Sequence, residues 1–264
     1  MARHRLVMEV ARQKEPLPHR RDVTLIEPLH HSRKRLGRYA SRIRFFLSGL
    51  KSSPRVATRA AILFVGCGTC EEILSLHLAN QTFYKVGLDL DPAKLPTPFA
   101  VADLLCADAE HTPFRDSCFD LCYSFHSLEH MKNAEACVYE MARVLRDEGE
   151  LFLSTPNKKR LLGYICSAQG ETVKSVVMKN LREWSARLRG EFESQRGYHC
   201  GFTMAELRTL LVRSFKEVRF VSREYTIHVA DLKYRAILRF VDIFGALSVV
   251  SPSHAVFCMH PRRR

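Results

Sequence analysis

What the chain lacks narrows its class first. Its most apolar late run, "AILRFVDIFGALSVV" at 236–250, is short and carries Arg239 and Asp242, so it is not expected to span a bilayer. The N-terminal residues have no charge-free apolar core of the kind a secretory signal needs. The nine cysteines are odd in number and scattered rather than framed, so reduced thiols in a cytoplasmic setting are the expectation. No compact Asp/Asn set offers a metal its oxygen ligands, and Cys118 and Cys122 fall on a buried strand pattern rather than a zinc spacing. No metal is expected. Repeats and low-complexity segments are also missing.

Acidic residues are scarce at one end. Residues 1–60 hold 15 Lys/Arg against 4 Asp/Glu, a net of +11 out of the chain's +13. The remainder is close to neutral, so the basic character belongs to an N-terminal arm, 1–59. Within it "RKRLGRYASRIRFFLSGL" brings Leu36, Tyr39, Ile43, Phe46, Leu47 and Leu50 round at three- and four-residue steps. This predicts an amphipathic basic helix over about 33–50. It would either pack on its own domain or meet a phosphate-bearing partner, RNA or the surface of a membrane at which the protein is peripheral.

From residue 60 to 264, short apolar runs alternate with helical patterns, which predicts an α/β fold with a mostly parallel sheet covered on both faces. Strands are expected at Ala61–Val65, Lys85–Leu90, Leu104–Cys106, Phe119–Phe125, Glu150–Thr155, Glu217–Ser222 and Ala255–Met259, seven in all. Helices are expected near Thr69–Ala79, Ala134–Leu145 and Thr203–Ser214. Residues 158–200 interrupt this order with a long helical pattern containing the only tryptophan, Trp184. Following the carboxyl end of a strand, that insertion would lie where ligands of open sheets bind, as a lid.

"ILFVGCGTCEEIL" at 62–74 poses the chemical question. A dinucleotide turn needs a third glycine six positions into the motif, where this chain has Glu71 followed by Glu72. Two carboxylates at a helix start suit the helix dipole but repel a pyrophosphate. Cys67-Gly68-Thr69-Cys70 is also a C-x-x-C, yet the same acids oppose the electropositive setting that redox thiols require. A ligand with a cationic centre and no phosphate meets neither objection.

"VGCGT", "VGLDLDP", "ADAEHTPFRDSCFDLCYSFHSLEH" and "EMARVLRDEGELFLSTPN" together resemble the class I S-adenosylmethionine-dependent methyltransferases, over about residues 60–157 and more weakly in "GYHCGFTMAELRTLL". The resemblance implies a Rossmann-like fold, S-adenosylmethionine as cofactor and methyl transfer to an acceptor. It implies that Gly66 and Gly68, with Val65 and Cys67 beside them, meet the amino-acid portion of the cofactor. Asp89 would take the ribose hydroxyls, and Asp108 and Ala109 the adenine; Leu90, next to Asp89, and Ser124, near the end of the fourth strand, are expected at the same cofactor site. Asp91, ahead of Pro92, is expected to start a helical turn instead. The family usually has a third glycine where this chain has Cys70.

Methyl transfer from a sulfonium needs alignment more than acid–base help. Where a base is required, His126 after the fourth strand and His199 after the insertion are the candidates, and His130 reads as structural. The acceptor expected is a small or lipid-linked organic molecule. An RNA substrate gripped by the arm, and a fold that has lost its cofactor, are the competing expectations.

Overall fold

The computed structural model describes residues 33–50, 60–80, 82–161, 163, 173–192, 200–230, 232–243 and 251–263. Residues 1–32 of the arm, with whatever they bind, lie outside these, as do the last residues of the 236–250 run.

Seven strands form one sheet: β1 (Ala61–Val65), β2 (Tyr84–Asp89), β3 (Asp103–Cys106), β4 (Phe119–Phe125), β5 (Leu145–Pro156), β6 (Phe215–Phe220) and β7 (Ser253–Pro261). Their order is β3-β2-β1-β4-β5-β7-β6, with β7 antiparallel to both neighbours and the rest parallel. The order reverses between β1 and β4, and such a switch point opens a crevice beyond the strand ends. The expected strands and their parallel character are present.

The helices are α1 (Arg33–Gly49), α2 (Glu71–Ala79), α3 (Ala134–Val144), α4 (Val173–Leu188), α5 (Met204–Ser214), α6 (Ser222–Val229) and α7 (Leu232–Ile243). Alternation along the strands sorts side chains into two cores. Leu63, Val65, Cys122, Leu151, Leu153 and Val256 meet Val138 and Met141 of α3 and Leu207 and Leu211 of α5. Ile62, Phe64, Tyr123, Phe152 and Phe257 meet Ile73 and Leu76 of α2, Tyr225 of α6, and Ile43, Phe45 and Phe46 of α1.

That second core answers the question of the basic helix. Ile43 and Phe46 are wholly buried and Phe45 nearly so, with Phe46 edge-on to Tyr123 at 5.3 Å and stacked on Phe257 at 6.5 Å. Burying three such side chains stabilises by roughly 1.5–3 kcal/mol each. Ile43, Phe45 and Phe46 thus pack on the chain's own domain, the first of the two expectations for this helix.

Two further boundaries differ from expectation. β5 starts at Leu145, directly after α3, because Phe119 pairs with Leu145 before the ladder shifts register. Ser222 starts α6 rather than ending β6: its hydroxyl accepts from Ala255 N at 3.1 Å, and Tyr225 N donates to Val221 O at 2.9 Å to close the first turn.

The insertion leaves and re-enters at one stitch. Asn157 bridges Phe202, with Phe202 N donating to Pro156 O at 3.1 Å and Lys158 N to Phe202 O at 3.0 Å. Gly201 has φ +64 there, and a Cβ on it would stand 1.8 Å from Pro156 O. Only glycine fits. Capping then starts α5, where Thr203 and Glu206 form a reciprocal box.

Candidate active site

The crevice at the switch point is built on the turn after β1. Gly66 (φ +69) and Gly68 (φ +51) both occupy the left-handed region. Gly66 N and Cys67 N donate to Leu88 O at 2.8 and 3.0 Å, tying the turn to β2. A Cβ on Gly66 would meet Ser127 Cβ at 2.4 Å, whereas one on Gly68 would meet nothing within 4 Å. One glycine is thus demanded by packing and backbone together. The other leaves backbone open to a ligand.

Asp89 ends β2 and is buried. Its Oδ2 accepts from Gly68 N at 2.8 Å and its Oδ1 from Asp91 N at 3.0 Å, so the carboxylate is fixed in orientation while each oxygen keeps a further lone pair. Beside it Leu90 is 65% exposed, an apolar side chain with no cover at the crevice edge. Asp91 caps the turn Pro92–Lys94 by accepting from Ala93 N at 3.0 Å. Asp108, after β3, is exposed and accepts from Glu110 N at 2.9 Å, with Ala109 buried next to it.

Ser124 is fully buried, its hydroxyl 2.7 Å from that of Ser127, which donates to Val65 O at 3.1 Å. Its side chain serves the β1–β4 seam rather than the crevice. Val65 likewise has its side chain in the core and its carbonyl occupied by Ser127.

The position of the missing third glycine is itself left-handed. Cys70 has φ +66, opens α2 without a side-chain cap and is wholly buried. A non-glycine residue held there costs roughly 1–2 kcal/mol. Its Sγ stands 3.8 Å from Cys67 Sγ and 3.7 Å from Gly68 O. The contact with Cys70, burial and the charge of Asp89 all push the Cys67 thiol upward, away from the thiolate a redox pair would use.

The two acids after the turn are not free charges. Glu71 is buried and accepts from Thr69 Oγ1 at 2.5 Å. Glu72 pairs with Arg42 of α1 at 2.8 Å; burial pushes its carboxyl up, and the guanidinium pulls against that. The repulsion expected of Glu72 toward a pyrophosphate is thereby offset, and the objection rests on Glu71 and the absent glycine. Arg42 also lies over the Phe125 ring at 4.0 Å, and Phe125 stacks on His126 at 4.4 Å. Its role was hidden in sequence because the partner is 30 residues away.

His126 follows β4 with φ +49. Its Nε2 is 2.9 Å from Ser253 Oγ and its backbone N donates to Ser154 O at 2.8 Å. His199 lies outside the described residues. Glu129, not singled out by sequence, is buried in the turn Leu128–His130. Thr155 Oγ1 donates to its Oε2 at 3.1 Å, its Oε1 makes no hydrogen bond, and burial pushes its pKa up to about 7. The apolar-flanked acid in "SLEH" was its only signal. Among the described residues no cluster of His, Cys, Asp and Glu has metal-holding geometry.

Residues 63–153 match the family described as "Methyltransferase domain". The ubiquinone biosynthesis O-methyltransferase of Marinobacter nauticus is 24% identical over 193 residues, 65% of this chain and 77% of that protein. The first curated relative matched is 33% identical over 98 residues, and the chain spans only 37% of its length. Among solved structures, the complex between the Haloferax volcanii Trm112 methyltransferase activator and a putative methyltransferase aligns with TM-score 0.55 and 15% identity, over 86% of this chain and 92% of that one. The plantazolicin methyltransferase BpumL, in complex with a monoazolic desmethylPZN analog and SAH, aligns with TM-score 0.52 and 12% identity, over 87% and 84%. These two likenesses show the fold. The matched segment runs from β1 into β5 through the glycine turn and Asp89, and over residues 63–153 the chain is similar to the methyltransferase-domain family.

Proposed function

We propose that this chain transfers a methyl group from S-adenosylmethionine to a small or lipid-linked organic acceptor. The observation that carries the reading is the Asp89 carboxylate held against Gly68 N–H, beside an open left-handed glycine at the β1–β4 switch point. A ribose diol needs two acceptors in fixed orientation, and the amino-acid end of the cofactor needs close backbone approach. Asp89 and Gly68 supply these.

In this reading Gly66, Cys67 and Gly68 offer backbone to the amino-acid portion, and Asp89 takes both ribose hydroxyls. Leu90 covers the adenine face, with Asp108 and Ala109 at its edge. Val65 and Ser124 hold the turn and β4 in place. The bound cofactor would supply an electrophilic methyl group, with S-adenosylhomocysteine as the leaving group of an in-line attack by the acceptor. The chain's own task is to align the acceptor and exclude water. His126 stands on the acceptor side of β4, where Nε2 can take the acceptor's proton once it parts from Ser253; His199 is the alternative base. Residues 158–200 cover the acceptor as a lid. Small-molecule acceptors in the names of the ubiquinone and plantazolicin relatives support this acceptor class.

Thermal unfolding with and without S-adenosylhomocysteine, on the native chain and on Asp89→Ala, tests the proposal. Ligand at 100 times its dissociation constant adds about 2.7 kcal/mol, a rise of roughly 5–10 °C for a domain of this size. The rise is expected in the native chain and not in the variant. No rise in either, or an equal rise in both, would refute the assignment.

A further inference from the structure

The insertion helix α4 carries an outward face for which the methyl-transfer reading has no use. Val177, Leu181, Trp184 and Leu188 succeed one another at steps of four, three and four, which puts them on one stripe. They are 49, 57, 46 and 88% exposed. Met178 and Leu161, both close to half exposed, widen the patch, and Trp184 Nε1 donates to Leu161 O at 2.9 Å. The opposite face is docked: Asn180, Glu183 and Ala186 are buried, and Glu183 pairs with Arg160 at 2.5 Å. A helix fixed on one side with a row of large apolar groups on the other presents that row to something outside.

Charge says what. Lys174 and Arg182 are exposed beside the stripe, while the helix's one acid, Glu183, is withdrawn into its buried ion pair. The patch is apolar with a cationic margin and no exposed carboxylate on the helix. We propose that this face docks on an anionic lipid bilayer, with Trp184 and the leucines at the acyl boundary and Lys174 and Arg182 against the headgroups. An indole, apolar in body and polar at one edge, suits that depth. A second copy of the chain fits less well. The stripe runs about 17 Å along the helix, short for a stable dimer's roughly 800 Å² per partner, and pairing two such faces would oppose cations with cations.

Trp184 is the only tryptophan, so its fluorescence reports on this face alone. The full chain is mixed with phosphatidylcholine vesicles, with and without phosphatidylglycerol, and followed by emission and co-sedimentation. With the anionic vesicles the emission should shift to the blue and the protein should pellet, less so as salt is raised. Lys174→Gln/Arg182→Gln should weaken partition roughly 25-fold, about fivefold per cation. Leu181→Asp/Leu188→Asp should abolish the shift; both sites are exposed, and circular dichroism checks the fold. Unchanged emission and no pelleting at low salt would overturn the proposal. So would equal binding to neutral vesicles, or a dimer in sedimentation velocity that Leu188→Asp splits, which would assign the stripe to a second copy.

Discussion

Glu129 gives the sharpest quantitative test of how the molecule is built around its strand ends. The carboxyl is buried, receives one hydrogen bond from Thr155, and leaves Oε1 without one. Burial is the leading cause of a pKa raised from 4.5 to about 7; the backbone, Thr155 and the nearby Arg160 pull the other way without cancelling it. A folded-state pKa above the unfolded one means that the native protein holds the proton more tightly. Stability from this group is therefore full below about pH 4.5, declines as pH rises to 7, and is lost above it. At 1.36 kcal/mol per unit, the whole penalty is about 3 kcal/mol.

Glu129→Gln keeps the shape and can never ionise. Urea unfolding of the native chain and the variant, compared at pH 5 and pH 8 with His130→Asn in both backgrounds because His130 Nε2 lies 4.0 Å from Glu129 Oε1, cancels the other titrating groups. The variant's stability relative to the native chain should rise by about 2–3 kcal/mol between the two conditions, most of it between pH 5 and 7. A difference that does not change with pH would refute the reasoning, for it would mean that the native state stabilises the carboxylate and the acid as equally as water does.

Two further outcomes concern the glycine turn and its support. Cys70→Gly relieves a left-handed backbone but removes a buried thiol, so thermal unfolding should move by less than about 1 kcal/mol; Cys70→Val, β-branched at φ +66, should cost about 2–3 kcal/mol. Arg42→Ala strands the Glu72 carboxylate and should cost about 2 kcal/mol, most of it recovered in Arg42→Ala/Glu72→Gln, which a double-mutant cycle measures.

The sheet was legible because its signal is local. Each strand is a short apolar run, and the carboxylates at 89 and 108 follow two of them in succession. α1 was legible as a helix for the same reason, but its destination was not. Ile43 and Phe46 read as part of a stripe for a core or for an outside partner, and Tyr123, Phe152 and Phe257, far along the chain, show what they pack against. α6 was missed because its eight residues, "SREYTIHV", are too short for a helical period to declare itself against the strand before it. Glu129 escaped because burial, which makes it unusual, is a tertiary property. Leu145 was placed at the end of a helix when its backbone already pairs with Phe119.

The distribution of charge changes meaning once the fold is known. In sequence the basic arm is the obvious place for an anionic partner, yet Arg42 of its helix is turned inward, held by Glu72 and laid over Phe125. A cation held in this way ties α1 to α2 and attracts nothing from outside. Helix α4 carries fewer charges, but its one acid, Glu183, is buried and paired to Arg160, while Lys174 and Arg182 are left exposed beside an apolar face. Attraction to a surface depends on which charges remain solvated and what lies between them, not on how many the segment contains. By that criterion α4, rather than α1, is the described element suited to meet an anionic surface.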